Sequence, residues 1–274
     1  MAKKNINEMS FLDHLEDLRW HLIRICIAVI AVATLVFIFS RFVFDAIIFA
    51  PLEMNFPTYN MLCQTANLFG VETTFCSKEM PMILQNRTMV GQFSADIWTA
   101  ILGGFIISFP YVVYQLWKFI SPGLHKNERK HSRGFIIVSS LLFFIGVLFG
   151  YYVVTPLSLN FLANYSISNR VDNQIDISSY IAMIRNSALA SGLTFELPII
   201  IYFFTKIGIV TPEILKKYRK YALVIVLILS AIITPPDIIS QIIVAIPILI
   251  LYQISIYISK IVIKKQMKKE KQLA

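Results

Sequence analysis

The stretch "FIIVSSLLFFIGVLFGYYVV", from Phe135 to Val154, contains no charged side chain and decides the class of fold. An α-helix rises about 1.5 Å per residue, so this stretch would span about 30 Å, the thickness of the hydrocarbon core of a bilayer. Similar apolar runs recur along the 274 residues, 57% of which are hydrophobic, and the mean hydropathy is +0.67. The sequence therefore predicts an all-α integral membrane protein.

Six apolar segments are predicted to be transmembrane helices. They are Ile25–Phe44, Ile97–Phe119, Phe135–Val154, Ala188–Phe204, Tyr221–Ile233 and Ile238–Ile258. Because one helix bundle uses most of the length, we expect a single membrane domain over residues 1–274. In this domain, residues 1–24 form an amphipathic N-terminal region, residues 25–258 contain the six helices with their loops, and residues 259–274 form a basic tail.

The basic residues indicate how these segments are oriented. With six crossings, twenty Lys and Arg residues fall on the side of the two termini. Five fall on the other side, namely Arg41, Lys78, Arg87, Arg170 and Arg185. Positively charged loops are retained in the cytoplasm, so both termini are predicted to be cytoplasmic. The net charge of +9 is explained by these clusters beside the lipid bilayer, and we therefore exclude nucleic-acid binding.

The fifth and sixth segments are predicted to form a short helix pair. The fifth has 13 apolar residues and covers only about 20 Å of a roughly 30 Å hydrocarbon core. The turn "TPPD", from Thr234 to Asp237, joins it tightly to the sixth, so the pair either crosses the membrane or re-enters on one side. Short helices at this edge would locally thin the bilayer.

Glu196 is a carboxyl group inside the apolar run "SGLTFELPII", from Ser191 to Ile200. An ionised carboxylate that faces lipid costs about 2.5 kcal/mol or more, so Glu196 must be protonated, paired or turned into a polar cavity. The structural alternative is a neutral Glu196 that is hydrogen-bonded to another helix. Ser191, Thr194 and the carbonyls that Pro198 frees would aid it. We favour a functional role, because intramembrane ionisable groups are usually retained for a task.

A group of acids precedes the first membrane segment in "MSFLDHLEDLRWHL", Met9–Leu22. Ser10 is a candidate N-cap, and at about 100° per residue Asp13, Glu16 and Asp17 share one face of the predicted helix. The like charges of Asp13 and Asp17, four residues apart, slightly destabilise a helix, so helix stability alone does not explain them. An ordinary solvated face and an anionic binding surface are equally consistent with this spacing.

Glu128 is the only acid in the first loop on the terminal side, "FISPGLHKNERK", Phe119–Lys130. Pro122 and Gly123 predict a chain break where the second segment leaves the bilayer. Glu128 either balances the neighbouring basic residues, which is the commoner outcome, or accepts a bidentate guanidinium from a partner.

Two cysteines, Cys63 and Cys76, lie in the long loop after the first segment. They form a disulfide if that side is oxidising, or remain two unpaired thiols.

The sequence contains no pattern of an enzyme. His14, His21, His125 and His131 have no companion motif, and neither a nucleophile with its base nor a phosphate loop nor a metal-ligand spacing is present. We therefore expect no catalytic residue, no metal and no cofactor. A proton-coupled transporter of small solutes, with Glu196 as proton carrier, is the rival hypothesis, but it predicts more ionisable groups at the midplane.

Six motifs occur in the chain in a fixed order. They are "FLDHLEDLR", "APL", "PYVVYQLWKFISPGLHKNER", "YYVVTPL", "FELP" and "TPPDIISQ". In this order, and over nearly the whole chain, the sequence resembles the TatC family, the core receptor subunit of the twin-arginine protein translocase.

The resemblance implies a fold and a transport function. It implies six helices arranged as a concave, glove-like wall in the bacterial cytoplasmic (inner) membrane, with single-span partners of the TatA and TatB types. It also implies binding of twin-arginine signal peptides of folded cargo proteins at the cytoplasmic face, transport driven by the proton-motive force, and self-association in a multimeric receptor complex.

The resemblance also implies roles for individual residues. The expected signal-peptide-binding residues are Glu16, Asp17, Arg19, Phe119, Pro122, Leu124 and Glu128. Glu196 matches the membrane-embedded carboxylate of the family, Asp237 and Gln241 match polar residues of the outer side, and Pro51 matches the proline after the first helix.

The sequence departs from the family pattern at two positions. Asp17 stands where the family usually has Glu, although Glu16 precedes it, and His21 stands where a basic residue is expected. The shorter Asp17 still supplies an anion, but its carboxylate is withdrawn by about one methylene group.

Overall fold

A computed structural model describes residues 11–70, 73–76, 82–120, 132–168, 173–235 and 237–273. Its α-helices are α1 (Phe11–Ile38), α2 (Ser40–Val43), α3 (Pro57–Leu68), α4 (Gly91–Ile120), α5 (Ser132–Phe149), α6 (Thr155–Asn164), α7 (Ile177–Phe195), α8 (Leu197–Lys206), α9 (Pro212–Lys217), α10 (Arg219–Ile233) and α11 (Ile238–Leu273). The strands are β1 (Ile83–Gln85) and β2 (Gln174–Asp176). Short π-helical turns cover Phe44–Ile48 and Gly150–Val154, and short 3-10 turns cover Ala50–Leu52 and Thr74–Cys76.

Five helical stretches of the described chain are long and apolar enough to cross a membrane. They are Leu15–Ile38, Gly91–Ile120, Gly134–Asn164, Ile177–Lys206 and Ser240–Met267. The predicted fifth crossing is α10, whose 15 residues reach about 22 Å and therefore fall short of the hydrocarbon core. The prediction of a mostly helical membrane protein is confirmed, and every predicted apolar segment lies largely on a helix.

The prediction that the sixth helix is short is wrong, because α11 has 36 residues. Its apolar part ends near Ile258, but the basic tail that follows contains no Pro or Gly and is rich in Lys and Gln, which favour helix. The helix therefore continues through the tail to Leu273.

Two of the helices, α1 and α7, begin more than ten residues before the predicted segments. α1 runs without a break from the acidic N-terminal region into the first membrane segment. α7 begins at Ile177 instead of Ala188, because Asp176 caps it with a hydrogen bond of 2.8 Å from the Ser178 N–H to Oδ1. The fourth membrane stretch is consequently longer at its start than hydropathy alone indicated.

The described chain divides into two compact units. Unit 1 comprises Met1–Phe44 and Val90–Leu141, and unit 2 comprises Asp45–Met89 and Leu142–Ala274. In unit 1, α1 packs along α4 through small residues. A Cβ atom added to Gly104 would lie 2.7 Å from the backbone nitrogen of Ala33. Small residues at such contacts let helices in a bilayer approach closely.

Unit 2 contains α3, the second part of α5 and α6 to α11, and it shows two clear packing contacts. A Cβ atom added to Gly146 would lie 2.7 Å from the carbonyl oxygen of Ser191, so α5 and α7 also meet through small residues. α10 packs on α11 in an apolar core that includes Val226, Val244 and Ile248. The expectation of one membrane domain over the whole chain stays a prediction.

A short parallel sheet joins two loops of unit 2. Ile83 pairs with Gln174 and Gln85 pairs with Asp176 in register. Three-residue strands are too short to show a clear alternation of polar and apolar residues, so no sequence pattern indicates them.

The loop after the first membrane helix is held together by aromatic and sulfur contacts. The sulfurs of Cys63 and Cys76 lie 2.08 Å apart in a disulfide. The fully buried Tyr59 donates a hydrogen bond of 3.1 Å to the carbonyl of Pro51 and stacks on Phe75. Burial raises the pKa of the Tyr59 phenol, which stays protonated and keeps its role as donor.

Candidate functional site

The acids predicted to bind a ligand lie at the start of α1. Glu16, Asp17 and Arg19 are all exposed there. One turn further along the same helix, His21 is half-buried against α4. Because residues four apart lie above each other on a helix, Asp17 lies next to His21 on the side toward the helix start. The carboxylates are therefore open to solvent at the end of a packed helix pair.

A chain of hydrogen bonds joins this part of α1 to the end of α4. His21 Nδ1 donates to Gln115 Oε1 at 2.7 Å, since that amide oxygen can only accept, and Gln115 Nε2 donates to the Tyr111 hydroxyl at 2.5 Å. Gln115 is 4% exposed. A buried amide whose donor and acceptor are both used fixes the register between two helices, because a shift would leave polar groups without partners.

Phe119 is brought to the same end of unit 1 by this register. It lies one turn beyond Gln115 on α4, and its ring meets the His21 ring edge to face, with centroids 6.2 Å apart. Exposed carboxylates and an aromatic ring thus occur together, and we name this region, formed by the first turns of α1 and the last turns of α4, the acidic end. Pro122, Leu124 and Glu128 lie outside the described residues.

The acidic end can bind a cationic peptide segment. Carboxylates accept charge-assisted hydrogen bonds from guanidinium groups, often two from one arginine, and an aromatic ring offers an apolar surface for a neighbouring side chain. Arg19 and Arg24 are exposed on the same helix, so the acids stand among cations of the chain itself. A ligand must compete with these cations, which favours guanidinium groups over a single ammonium.

Glu196 occupies a break between α7 and α8. Pro198 has no N–H to donate to the carbonyl of Thr194, so the α-helical pattern is interrupted, and Glu196 closes α7 with a hydrogen bond of 3.1 Å from its N–H to Leu193. Its own carbonyl accepts from the N–H groups of Ile199 and Ile200 at 2.9 and 3.0 Å. The side chain is 8% exposed. The predicted carboxyl group therefore lies in the membrane stretch at the place where the backbone bends.

Asp237 and Gln241, which are predicted to lie on the outer side, have contacts within unit 2. Asp237 Oδ2 caps α11 by accepting from the N–H and the hydroxyl of Ser240, at 2.8 and 2.7 Å. Gln241 Nε2 donates to the carbonyl of Leu227 at 3.0 Å and ties α11 to α10. These side chains stabilise the turn between the two helices, and Pro51 is buried beside Tyr59.

Arg185 is a residue whose environment the sequence did not reveal. It was counted among the outer-side cations, but α7 begins early enough to place it inside the fourth membrane stretch. Its Nε and Nη1 atoms are buried, and no hydrogen-bond acceptor for them occurs in the described part of the chain. The one sequence signal for the position of Arg185 is Asp176, a residue type that favours the N-cap position and so indicates the early start of α7.

The described residues contain no candidate metal centre. Within residues 11–70, 73–76, 82–120, 132–168, 173–235 and 237–273, no three His, Cys, Asp or Glu side chains come together as a possible ion site.

Comparisons with known proteins give one consistent result. A family model described as "Sec-independent protein translocase protein (TatC)" matches residues 13–247. The "Sec-independent protein translocase protein TatC" of Blattabacterium sp. subsp. Periplaneta americana is 44% identical, over 96% of this chain and 100% of the relative. The TatCy protein of Bacillus subtilis is 34% identical, over 98% of this chain and 95% of its own length.

Solved structures agree with these sequence matches. The "Crystal Structure of Twin Arginine Translocase Receptor- TatC" superimposes with a TM-score of 0.69 at 32% identity, covering 91% of this chain and 99% of that one. A second crystal structure of that receptor, in the detergent DDM, gives a TM-score of 0.70 at 33% identity.

Proposed function

Because the chain belongs to the TatC family, we propose that it is the subunit of the Sec-independent translocase that binds the twin-arginine signal peptides of folded cargo proteins. Membership of the family makes it a multi-pass membrane protein and a component of protein transport, not an enzyme. The binding site that we propose is the acidic end of unit 1.

The observation that carries this proposal is the placement of Asp17, Glu16 and Phe119 at one end of the packed pair α1 and α4. His21 and Gln115 hold the two helices in register there. Each good charge-assisted hydrogen bond to a guanidinium contributes about 1.5–3 kcal/mol. Two adjacent arginines need at least two acceptors, and the exposed acids of α1 supply them.

The loop after α4 completes the proposed site. Its Glu128 would serve as a further acceptor for a guanidinium, while Pro122 and Leu124 would contact the apolar part of the signal peptide together with Phe119. The support for this part is the order of the motifs in the sequence.

The proposal assigns the acidic end to the cytoplasm. The excess of Lys and Arg on the side of both termini supports this orientation in the cytoplasmic (inner) membrane of a bacterium. Membrane orientation favours Lys and Arg on the cytoplasmic side and therefore does not explain acids at this end. A cationic ligand accounts for them.

We further propose that partners complete the translocation site. Single-span proteins of the TatA and TatB types would bind the membrane-embedded face of this chain, further copies of the chain would join the receptor complex, and the proton-motive force would drive transport. Glu196, at the bend between α7 and α8, would meet a polar side chain of a partner helix or of the passing signal peptide. Asp237, Gln241 and Pro51 would support that assembly through the helix turns that they stabilise.

Photo-crosslinking tests this proposal. A photoreactive residue at Trp20, exposed on α1, should crosslink a twin-arginine precursor in membranes, and the same residue at Ile225, exposed on α10, should not. A twin-lysine precursor is the matched ligand control. Equal crosslinking of both precursors at Trp20, or equal crosslinking from Trp20 and Ile225, would refute recognition at the acidic end.

A further inference from the structure

Positive charge, opposite to that of the acidic end, is concentrated at one edge of unit 2. The proposed function does not use this edge. This edge contains the end of α8, all of α9, the start of α10 and residues 252–267 of α11. We name its basic residues the basic edge: Lys206, Lys216, Lys217, Arg219, Lys220, Lys260, Lys264 and Lys265. Glu213 is the only acid among residues 206–221 and 252–267.

The basic edge is a built surface, because three hydrogen bonds hold its segments together. Arg219 Nη2 donates to Gln253 Oε1 at 2.5 Å and joins α10 to α11. The Tyr252 hydroxyl donates to the carbonyl of Leu215 at 2.7 Å, and Gln266 Nε2 donates to the carbonyl of Lys206 at 3.1 Å. The cations of four helices are therefore presented together.

The position of these cations along the helices matches the depth of lipid headgroups. Lys206 ends α8, Lys220 directly precedes the apolar run that begins at Tyr221, and Lys260 follows the apolar run that ends near Ile258. A Lys at the end of a membrane helix reaches the interface with its ammonium group while its stem stays in the apolar layer.

Tyrosines at the same level support this depth. The ammonium groups of Lys206, Lys217 and Lys220 lie 5.6, 6.0 and 5.3 Å from the ring centroids of tyrosines one to four residues away. Tyr218 and Tyr221 are exposed, as is typical of aromatic residues at the boundary between hydrocarbon and headgroups.

The charge of the basic edge is balanced only in part. Hydrogen bonds from its own backbone N–H and from the Thr211 hydroxyl lower the pKa of Glu213, and attraction to Lys216 and Lys260 lowers it further. Two cations from different helices thus attract one carboxylate, and residues 206–221 and 252–267 contain eight basic residues but no other acid.

We propose that the basic edge binds the phosphate groups of anionic phospholipids in the leaflet that it faces, which is the cytoplasmic one in the proposed orientation. Basic clusters beside membrane helices attract anionic headgroups, and basic pockets between helices bind them specifically. Setting the orientation in the membrane requires only that enough positive charges lie on one side. It does not require hydrogen bonds that hold α8, α9, α10 and α11 together as one surface. The depth of the cations favours a lipid over an acidic protein.

Binding of phosphatidylglycerol to the purified full-length chain, measured by native mass spectrometry with phosphatidylcholine for comparison, tests this proposal. Each cation near a membrane surface increases the affinity for anionic lipid about fivefold. Lys216→Gln/Lys217→Gln/Lys220→Gln should therefore raise the Kd for phosphatidylglycerol at least about tenfold and leave phosphatidylcholine binding unchanged. The charge-preserving triple replacement of these lysines by Arg should stay within about twofold, which excludes misfolding as the cause.

The matched control removes the same number of positive charges from unit 1. Lys3→Gln/Lys4→Gln/Arg24→Gln should change the Kd by less than about twofold. An unchanged Kd for phosphatidylglycerol in the unit 2 variant would overturn the proposal, and so would an equal rise of that Kd in the unit 1 variant. The proposal would also be overturned if inorganic phosphate displaced bound phosphatidylglycerol as well as the same concentration of free phosphatidylglycerol does. Stronger binding of an acidic peptide than of phosphatidylglycerol would assign the surface to a protein instead.

Discussion

The acidic end of unit 1 and the basic edge of unit 2 are built in the same way from opposite charges. At each, a glutamine fixes two helices: Gln115 bonds to His21 of α1, and Gln253 accepts from Arg219 of α10. At each, aromatic rings stand beside the charged groups. What differs is the sign of the charge, and positive charge is the ordinary state of a cytoplasmic face. In the proposed cytoplasmic orientation, a specific cationic ligand therefore accounts for the acids of unit 1, while the cations of unit 2 suit the lipid itself.

The largest expected effect comes from separating α1 and α4. Gly104→Val would push atoms into the backbone of Ala33, where even a Cβ would lie at 2.7 Å, and overpacking of this kind costs about 1–3 kcal/mol or more. Binding of a twin-arginine peptide should be lost, while phosphatidylglycerol binding at the basic edge should persist. Gly134→Val is the matched control, since in the described part of the chain its added Cβ would meet nothing within 4 Å apart from the adjoining helix backbone. Retained peptide binding in Gly104→Val would show that the acidic end does not need the α1 and α4 contact.

The next effect comes from the glutamine of each region. Gln115→Leu leaves His21 Nδ1 without its acceptor, and an unsatisfied buried donor costs about 1–3 kcal/mol. If that loss acts on the register of the acidic end, twin-arginine peptide affinity should fall about 5- to 100-fold by fluorescence anisotropy, and Gln115→Glu, which keeps an acceptor, should recover part of it. Gln253→Leu should weaken phosphatidylglycerol binding and spare the peptide. Equal effects of both leucine variants on both ligands would abolish the distinction between the two regions.

A smaller effect is expected from the single acid of the basic edge. Glu213→Gln removes a negative charge that Lys216 and Lys260 share, so phosphatidylglycerol should bind about fivefold more tightly. Twin-arginine peptide binding should not change. Tighter peptide binding in this variant, measured in the same lipid, would mean that the peptide senses the charge of unit 2.

The smallest effect concerns acid pH and the outer loops of unit 2. The N–H groups of Ser178 and Arg87 lower the pKa of Asp176. Its ionised form therefore stabilises the folded chain above the pKa of about 3.9 in the unfolded chain, and this stabilisation is lost as the pH falls through the lowered folded value. Between pH 6 and pH 3, the Tm of the chain should fall slightly more than the Tm of Asp176→Asn, which keeps a cap but does not titrate. Identical pH profiles would show that the carboxylate contributes nothing.

Hydropathy and charge predicted the membrane class and the positions of the apolar segments. The preference of a segment for lipid depends only on its own side chains, so it can be read from a short stretch of sequence. The bend at Glu196 could be anticipated from Pro198, which removes a backbone donor. The length of α11 was missed because its tail is polar, although lysine favours helix.

The contacts of the candidate sites were beyond the reach of sequence patterns. His21 and Gln115 are separated by 94 positions, and nothing in their local sequence indicates the bond between them. The burial of Arg185 and the pairing of Ile83 with Gln174 likewise depend on segments far apart in the chain. The acids of α1 were visible in the sequence, but their placement at the same end of the helix pair as Phe119 required the structure.

The central claim is tested most directly by the affinity of a labelled twin-arginine signal peptide for the full-length chain in nanodiscs, compared between the native chain and Asp17→Asn/Glu128→Gln. With about 1.5–3 kcal/mol for each charge-assisted contact, the double variant should bind at least about 100-fold more weakly. It should also discriminate little between this peptide and a twin-lysine peptide. An unchanged affinity, with discrimination intact, would contradict recognition of the paired arginines by these carboxylates.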